Sequence, residues 1–292
     1  MFMKRVILCG LGAVGMAFGV RLNDCAEIDF RVAVDEKRLE KYSQNKPVFN
    51  GIEQSFNYIL PTDDYTADLI IIATKFDGLE GAINTVKNFA KENTRVISLI
   101  NGISSEEILQ KHFPNVLKSY FIGHSAVREG NNITHDGVGK IVTENDNILK
   151  EIFEQSKIDY EIKEDMDYEL WKKFTFNTFS NQISAIFKMT FGELKSNKEF
   201  IPLAKKIINE IKPIAEKRGI KNLENLEPDA INSLKEMCDE GKTSMLQDIL
   251  AGRKTEVDIF SGEVIKLGKL YGIPTPYNQV LYDLIKFEEE RI

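Results

Sequence analysis

The sequence is poor in the residues that build metal centres, disulfide frameworks and membrane spans. Its 292 residues include 3 cysteines and 3 histidines, and none of the cysteines forms a CxxC pair. This usage is typical of a protein in a reducing cytosol and predicts no metal site. No segment approaches the roughly 18 consecutive apolar residues that a membrane span requires. We therefore expect a cytoplasmic protein with no membrane partner.

An excess of positive charge is also missing, since the net charge is -7. A chain without a basic stripe does not offset phosphate charge, so nucleic acid is excluded as a general partner. Attraction for an anionic substrate would have to be local. With 42% hydrophobic and 28% charged residues, the composition is that of an ordinary globular protein. A chain of this length is expected to form one large domain or two modest ones.

A glycine-rich turn follows the first predicted strand, Lys4 to Cys9. The turn has the form GxGxxG and consists of Gly10, Leu11, Gly12, Ala13, Val14 and Gly15. A helix is expected next, and then a second strand over Asp29 to Asp35, which ends in an acid 20 residues after Gly15. Strand, glycine turn, helix, strand and acid in this order predict a dinucleotide-binding unit. The alternative is a glycine turn with a purely structural role.

Two further apolar runs, Ala67 to Thr74 and Arg95 to Ile100, predict parallel strands that are covered on both faces. Lys75 follows the first run and Asn101 follows the second. Ligands of an open parallel sheet lie beyond the carboxyl ends of its strands. Both side chains are therefore candidates for the same site as the glycine turn and Asp35. Lys75 is either a contact to a cofactor or anionic substrate, or a solvated lysine at a strand end.

The periodicity of the apolar residues changes near residue 166. Before it, a helix is expected over Gly78 to Glu92, the SSEE run at 104–107 has the form of a capping box, and Gly130 begins a hairpin turn. From about Asp167 onward the apolar residues follow helical periodicity. We predict an α/β protein with a Rossmann-type dinucleotide-binding domain over 1–166 and an all-helical substrate and catalytic domain over 167–292.

The stretch from Glu169 to Phe191 predicts an unusual helix, too apolar to face water and too polar to be plain core. At about 100° per residue, one face carries Lys173, Asn177, Asn181 and Ser184. Buried amides and ammonium groups need partners, so this face either meets polar protein groups or lines a ligand site. A solvent-facing polar strip on a surface helix is the alternative.

A further long helix is predicted to begin near Glu256 and to end at about Tyr271. Its apolar stripe consists of Val257, Phe260, Val264 and Leu267. A carboxylate near a helix start is favoured by the helix dipole by roughly 0.3 to 1 kcal/mol. Glu256 therefore also has a structural explanation, as a solvated acid of the first turn.

Taken in order, these segments resemble one family, the ketopantoate reductases, also called 2-dehydropantoate 2-reductases. The matching stretches are GLGAVG at 10–15, ATK at 73–75, NG at 101–102, ELWKKFTFN at 169–177, Asn181, GEL at 192–194, SMLQD at 244–248 and GRKTEVD at 252–258. They span nearly the whole chain. The resemblance implies reduction of 2-dehydropantoate to pantoate by NAD(P)H, a step toward coenzyme A, in the cleft between an N-terminal dinucleotide-binding domain and a helical C-terminal domain.

The resemblance also implies roles for individual residues. Lys173 would donate a proton to the keto oxygen, and a nearby carboxylate such as Glu256 would favour its protonated form. The other implied contacts are Asn177, Asn181 and Ser244 to the substrate, Asn101 to nicotinamide ribose and substrate, Glu256 to substrate and cofactor, and Ala126 to the cofactor through its backbone.

Two positions depart from the family pattern. Family members typically use NADPH and carry a basic residue near the end of the second strand, where this sequence has Asp35, followed by Lys37 and Arg38. An acid suits a ribose diol and repels a 2′-phosphate, so NADP(H) and NAD(H) both stay open. Phe191 stands where some members carry an amide that helps to hold substrate. The identity of the keto acid stays open as well.

Two other functions compete with ketopantoate reduction. An NADH-dependent D-2-hydroxyacid dehydrogenase of the same fold, acting on branched or aromatic 2-keto acids, would suit Asp35 and Phe191. A non-catalytic NAD(P)-binding sensor would need the glycine turn but not the reactive side chains. In each case the ligand is a small molecule. The helical domain is compatible with a monomer or with a homodimer.

Overall fold

The computed structural model describes residues 3–123, 126–135 and 139–291. The chain divides into two compact units, Met1–Met166 and Asp167–Ile292. The N-terminal unit is built on a parallel sheet with helices, and the described part of the C-terminal unit is helical. The predicted fold class, a Rossmann-type α/β domain followed by a helical domain, is confirmed.

The elements of the N-terminal unit follow the expected alternation of strands and helices. Its strands are β1 (Lys4–Cys9), β2 (Ile28–Ala33), β3 (Val48–Phe49), β4 (Ile52–Glu53), β5 (Tyr58–Ile59), β6 (Leu69–Ile72), β7 (Arg95–Ser98), β8 (Val116–Leu117), β9 (Ser119–Ile122), β10 (Ala126–Glu129), β11 (Asn132–His135), β12 (Lys140–Thr143) and β13 (Tyr160–Ile162). Its helices are α1 (Ala13–Asn23), α2 (Glu36–Gln44), α3 (Leu79–Val86), α4 (Ser105–Leu109) and α5 (Asn147–Gln155).

Within the described residues, the main sheet has six strands in the order β5-β2-β1-β6-β7-β8, and every neighbouring pair is parallel. Cys9 lies opposite Ile72, and Ile72 lies opposite Ser98. The carboxyl ends of the central strands therefore meet at one edge. Two smaller sheets have the orders β10-β11-β3-β4 and β13-β12-β9. The hairpin expected at Gly130 forms between β10 and β11.

The core of this unit lies on both faces of the main sheet, because alternate residues of a strand point to opposite sides. Val6 and Leu8 of β1 belong to one cluster, which also contains residues of α1 and α5. Ile7 and Cys9 belong to the other, together with residues of α3. Burial on both faces explains why the central strands are continuous apolar runs.

Three expectations for this unit need correction. The second strand ends at Ala33, and Asp35 caps α2 instead of ending the strand. The helix expected to reach Glu92 is α3 alone, flanked by the 3-10 turns Phe76–Gly78 and Lys87–Phe89. The capping box at residues 104–107 does not form, because the Ser104 side chain makes no capping hydrogen bond. Ser104 has a helical backbone conformation, whereas a capping residue is normally extended.

The C-terminal unit is assembled from helices of very different length. They are α6 (Met166–Phe187), α7 (Phe191–Ser196), α8 (Phe200–Lys217), α9 (Leu226–Lys235), α10 (Ser244–Leu250), α11 (Ser261–Tyr271) and α12 (Pro276–Glu289). Helix α8 packs against α9, α11 and α12, and α11 also packs against α12. None of the described helices is long and apolar enough to cross a membrane.

Two helices of this unit differ from expectation. The helix expected to reach Phe191 ends at Phe187, because Lys188 takes a left-handed conformation with φ 55°. A capping box between Thr190 and Glu193 then starts α7, so Phe191 is the first residue of a new helix. The predicted long helix to Tyr271 is also interrupted: a 3-10 turn, Val257–Ile259, precedes α11.

Candidate active site

The glycine turn has the close contacts that a dinucleotide-binding turn requires. Gly10 has φ 110°, and a Cβ there would lie 2.7 Å from the carbonyl carbon of Ala73, at the end of the neighbouring strand. A Cβ on Gly15 would lie 1.8 Å from the Gly10 carbonyl oxygen. Both positions therefore require glycine, the first for backbone conformation and the second for close packing of α1 on β1.

The start of α1 has the features of an anion site. Gly12 caps this 11-residue helix without any side-chain hydrogen bond to its first N–H groups. A Cβ on Gly12 would meet only the Ala73 carbonyl oxygen, at 3.9 Å, so there is room beside the turn. N–H groups without a side-chain cap, together with the positive end of the helix dipole, suit the pyrophosphate of a dinucleotide. The residues present therefore fit the cofactor that the motif predicts.

Asp35 lies at the same edge and is engaged with Arg38. Its Oδ1 accepts a hydrogen bond from the Arg38 backbone N–H at 2.7 Å, and its Oδ2 accepts one from the Arg38 guanidinium at 2.9 Å. Both side chains are about half exposed.

Cys9, the last residue of β1, is buried next to the glycine turn. Burial raises the pKa of its thiol to about 12, so this cysteine is a packing residue and not a nucleophile at neutral pH.

The other candidates of the N-terminal unit lie in different settings. Lys75 is exposed and precedes the 3-10 turn after β6. Asn101 is half-buried after β7 and is followed by Gly102 with φ 99°. Ala126 is the first residue of β10, a strand that packs near α1. Gly10, Asp35, Lys75 and Asn101 thus share the carboxyl edge of the sheet, as predicted.

The polar face of α6 is not a solvent-facing strip. Lys173 and Asn177 are half-buried, and Asn181 is 5% exposed. Ser184 is fully buried, and its hydroxyl donates to the Met189 carbonyl at 2.6 Å, so it caps the end of α6 instead of facing a ligand. The rest of this face carries one ammonium and two amides, those of Lys173, Asn177 and Asn181.

Ser244 lies close to one end of this face, because the preceding residue, Thr243, is bonded to Ser184. Thr243 caps α10, and its hydroxyl donates to the Ser184 hydroxyl at 3.1 Å. Ser244 itself is the exposed first residue of α10. The structure therefore brings Ser244 to the Ser184 end of the α6 polar face.

Glu256 is half-buried and immediately precedes the 3-10 turn, Val257–Ile259. Phe260, just after that turn, stacks on Phe174 of α6, with ring centroids 6.3 Å apart and planes 24° apart. This contact places the segment that carries Glu256 against the turn of α6 that contains Lys173. The proximity of the Glu256 carboxylate to the Lys173 ammonium stays a prediction.

Sequence patterns did not reveal several residues that hold this region together. The backbone N–H and the hydroxyl of Thr255 both donate to Glu289 Oε1 at 2.7 Å, across 34 positions of sequence. The hydrogen bond between Thr243 and Ser184 spans 59 positions. No local motif signals either contact. The capping box at Thr190 and Glu193 did have a signal, the T-x-x-E spacing.

Among residues 3–123, 126–135 and 139–291, no group of three or more acidic, cysteine or histidine side chains could hold a metal ion.

A Rossmann-type unit with a glycine turn, followed by an all-helical unit, defines a class of nicotinamide-dinucleotide-dependent oxidoreductases. The sequence profile of ketopantoate reductase PanE/ApbA matches residues 6–147, and the profile of the ketopantoate reductase PanE/ApbA C-terminal region matches residues 165–289. The chain belongs to the ketopantoate reductase family.

Individual relatives are similar over nearly their full length. The 2-dehydropantoate 2-reductase of Pyrococcus horikoshii is 28% identical over 98% of this chain and 97% of the relative. D-mandelate dehydrogenase, solved with NADH and anilino(oxo)acetate, superimposes with a TM-score of 0.85 at 24% identity over 99% of each chain. A dimeric ketopantoate reductase from Staphylococcus aureus superimposes with a TM-score of 0.78 at 21% identity over 98% of this chain and 99% of that one. At these identities the two solved structures establish the fold.

Proposed function

We propose that this protein reduces 2-dehydropantoate to pantoate with hydride from NAD(P)H. The observation that carries the proposal is the polar face of α6, which sets the half-buried Lys173 and Asn177 and the buried Asn181 into a mostly apolar helix. An ammonium and two amides can donate hydrogen bonds to a carboxylate and to a carbonyl oxygen that becomes negative during reduction. These are the two polar groups that a 2-keto acid offers.

The side chains have distinct roles in this reaction. When bound, the nicotinamide supplies a hydride to the carbonyl carbon of the substrate. The Lys173 ammonium donates a proton to the carbonyl oxygen as negative charge develops there, and it later regains a proton from water. Asn177, Asn181 and Ser244 orient the keto acid by hydrogen bonds. In total, the keto acid, NAD(P)H and one proton give the 2-hydroxy acid and NAD(P)⁺.

The remaining contacts follow from the family resemblance. A carboxylate near Lys173 favours its charged form, which is the role proposed for Glu256. Asn101 is proposed to contact the nicotinamide ribose and the substrate, and Ala126 to contact the cofactor through its backbone. The glycine turn and α1 are proposed to hold the pyrophosphate.

The decisive experiment is a panel of 2-keto acids, 2-dehydropantoate included, assayed with NADH and with NADPH. Lys173→Ala should lower kcat by about 100- to 10,000-fold, the usual contribution of a positioned proton donor. Lys172→Ala is the matched control, since Lys172 is bonded to Glu169 at 2.6 Å and has no proposed contact with substrate.

Three outcomes would change the assignment. A Lys173→Ala rate within a few-fold of wild type would remove Lys173 from catalysis. Faster turnover of another 2-keto acid would replace 2-dehydropantoate as substrate. Coenzyme binding without turnover of any 2-keto acid would favour the non-catalytic sensor.

We infer further that NADH is the preferred coenzyme. Asp35 presents a carboxylate two residues after the second strand, at the carboxyl edge of the sheet, where an acid binds the ribose diol and repels a 2′-phosphate. The guanidinium of Arg38, one of the two basic side chains that follow Asp35 closely in sequence, is paired with the Asp35 carboxylate. A strong preference for NADPH in the same assay would contradict this inference.

A second candidate function has one specific observation in its favour. Phe191 stacks on Phe176 of α6, with ring centroids 6.4 Å apart and planes 18° apart. An apolar ring in place of an amide suits a substrate with an apolar side chain. This favours a D-2-hydroxyacid dehydrogenase for branched or aromatic 2-keto acids, and the panel distinguishes it from a ketopantoate reductase.

A homodimer is proposed on the evidence of α12. Tyr277, Val280, Leu284 and Phe287 recur every three or four residues along this helix and are 40%, 57%, 42% and 66% exposed. Such a stripe can pair with the same stripe of a second copy about a two-fold axis. Sedimentation should show a dimer that Leu284→Glu dissociates and that Ile52→Lys, at another exposed apolar position, leaves intact. A monomeric wild type would refute the proposal.

A further inference from the structure

The segment before α10 is fastened to the junction of α6 and α7. The backbone N–H groups of Phe191 and Gly192 donate to the carbonyl groups of Gly241 and Asp239, each at 2.9 Å. Lys195 Nζ bonds the Asp239 carboxylate at 2.7 Å. The fit is close, since a Cβ on Gly192 would lie 2.9 Å from the Cβ of Asp239. The segment that leads into α10, residues 239–241, is therefore held at a fixed position relative to the end of α6.

A chain of buried hydroxyl groups completes this attachment. The Leu246 N–H donates to Thr243 Oγ1 at 3.2 Å, Thr243 Oγ1 donates to Ser184 Oγ at 3.1 Å, and Ser184 Oγ donates to the Met189 carbonyl at 2.6 Å. Thr243 is 1% exposed and Ser184 is fully buried. Each hydroxyl both accepts and donates, so the chain links the first turn of α10 directly to the last turn of α6.

This link sets the geometry of the proposed substrate contacts. Ser184 shares its face of α6 with Asn181, about 4.5 Å along the helix axis, and with Asn177, about 10 Å along it. Ser244 directly follows Thr243, so its distance from both amides depends on the hydroxyl chain. We propose that Thr243, linked to α6 by Ser184, is a positioning residue that places the Ser244 hydroxyl for binding the keto acid. This inference rests on the proposed function.

The chemistry gives the link a consequence for catalysis. A bound keto acid must present its carbonyl carbon within a narrow range of distance and angle, and a displacement of about 1 Å can cost up to about 100-fold in rate. If α10 shifts, the keto acid loses a contact while the coenzyme keeps all of its own. Loss of the link should therefore raise the KM for the keto acid and leave the KM for the coenzyme unchanged.

The test compares Thr243→Val, which removes the hydroxyl at nearly constant volume, with Thr243→Ser, which keeps it. We expect Thr243→Val to raise the KM for 2-dehydropantoate about tenfold, with the coenzyme KM within about twofold of wild type, and Thr243→Ser to restore most of the loss. Thr178→Val is the matched control, because Thr178 is a buried threonine of α6, about 120° around the helix from Ser184, whose hydroxyl donates to the Phe174 carbonyl of the same helix.

A second comparison separates positioning from general stability. In a Ser244→Ala background the hydroxyl to be positioned is absent, so adding Thr243→Val should change the KM for the keto acid by less than about twofold. An equal rise in both backgrounds would overturn the proposal, as would a Thr243→Ser variant as impaired as Thr243→Val. If Thr243→Val does not fold, Ser184→Ala provides the same comparison, because it breaks the link but keeps Thr243 as the cap of α10.

The two proposals fail in distinguishable ways. A wild-type protein that turns over no 2-keto acid removes the proposed function and, with it, this inference. A wild-type protein that turns over a 2-keto acid, with a Thr243→Val variant that behaves like Thr178→Val, removes only the role of Thr243.

Discussion

The two units of the chain hold their candidate site groups by different means. In the N-terminal unit, Gly10, Asp35, Lys75 and Asn101 each lie within three residues of the strand that positions them. In the C-terminal unit the candidate groups are side chains on three separate segments, namely α6, α10 and the residue before the 3-10 turn at 257–259. The contacts that join those segments span long distances in sequence, such as 59 positions between Thr243 and Ser184.

This difference separates what a sequence encodes locally from what only the folded chain defines. A parallel sheet places the ends of its strands side by side, so a short motif after a strand already has a known location. A helix defines only which of its own residues share a face. The position of that face relative to another helix depends on buried side-chain contacts, which leave no local pattern. Four predictions test this contrast.

The largest effect is expected from Glu210, which anchors α12 from another helix. Its carboxylate, on α8, accepts hydrogen bonds from the Tyr277 N–H at 2.7 Å and from the backbone and side chain of Asn278 at 3.0 and 2.8 Å. Glu210→Ala would leave buried donors without an acceptor. We expect it to lower the free energy of unfolding by about 3 kcal/mol, as measured by chemical denaturation.

Asp146 of the N-terminal unit provides the matched comparison. Its Oδ1 caps α5 locally, accepting from the N–H groups of Ile148 and Leu149 at 2.8 and 3.1 Å, and its Oδ2 accepts from Arg95 Nε at 3.0 Å. Asp146→Ala should cost about 1 to 2 kcal/mol, the value for a lost helix cap together with a partly exposed ion pair. If Glu210→Ala cost no more than this, the dependence of the C-terminal unit on contacts between distant residues would be contradicted.

The second prediction concerns the glycine turn, where backbone geometry alone is responsible. Because the added Cβ of Gly15→Ala would lie 1.8 Å from the Gly10 carbonyl oxygen, α1 must move away from β1. We expect a loss of about 2 kcal/mol in the free energy of unfolding and at least tenfold weaker coenzyme binding by calorimetry. Gly81→Ala is the control, since nothing lies within 4 Å of its Cβ and alanine favours helix α3. Equal behaviour of the two variants would refute the packing role of Gly15.

Local patterns predicted much of the N-terminal unit correctly. The bounds of β1, Lys4–Cys9, agree residue for residue, and the hairpin at Gly130 forms as expected. The capping box predicted at residues 104–107 failed because spacing alone does not fix the backbone conformation. The SSEE run at 104–107 and the TFGE run at 190–193 of the C-terminal unit both have capping-box spacing, but only Thr190 has the extended backbone that a cap needs.

In the C-terminal unit the pattern predicted groups but not their arrangement. Helical periodicity identified the face of Lys173, Asn177 and Asn181, and burial agrees with it. Periodicity also placed Ser184 on this face, because it cannot show which partner a side chain meets. The Ser184 hydroxyl accepts a hydrogen bond from Thr243 and donates one to the Met189 carbonyl. The helical pattern also did not predict that a 3-10 turn, Val257–Ile259, precedes α11. The ring of Phe260, which follows this turn, stacks on Phe174, a contact between segments far apart in sequence.

The third prediction concerns coenzyme choice in the N-terminal unit. Asp35→Asn keeps the cap of α2, because asparagine is as good a cap as aspartate, but it removes the negative charge. The ratio of kcat/KM for NADH to that for NADPH should fall about tenfold, or about 1.4 kcal/mol, because a 2′-phosphate no longer meets a carboxylate and Arg38 is released. Steady-state assays with both coenzymes measure the ratio. An unchanged ratio would show that Asp35 does not select the coenzyme.

The smallest effect is expected at Glu161, an ion-paired carboxylate on β13. Hydrogen bonds from Lys140 and Lys163 lower the pKa of Glu161 from its ordinary value of 4.5 to about 2. A carboxyl group with a lowered pKa stabilises the folded state fully above its unfolded pKa, and the contribution is lost as pH falls from about 4.5 toward 2. The side chain is 33% exposed, so solvent screening limits the contribution to about 1 kcal/mol.

Glu161→Gln should therefore lower the free energy of unfolding by about 1 kcal/mol at pH 7 and by progressively less between pH 4.5 and 3. The exposed neighbour Glu164→Gln is the control and should show little difference at either pH. A Glu161→Gln difference that was as large at pH 3 as at pH 7 would mean that packing, and not charge, is responsible. This ion pair joins two adjacent strands of the N-terminal unit, whereas Glu210 joins two helices of the C-terminal unit that are far apart in sequence. The smaller loss expected for Glu161→Gln therefore follows from the shorter range and greater exposure of its contacts.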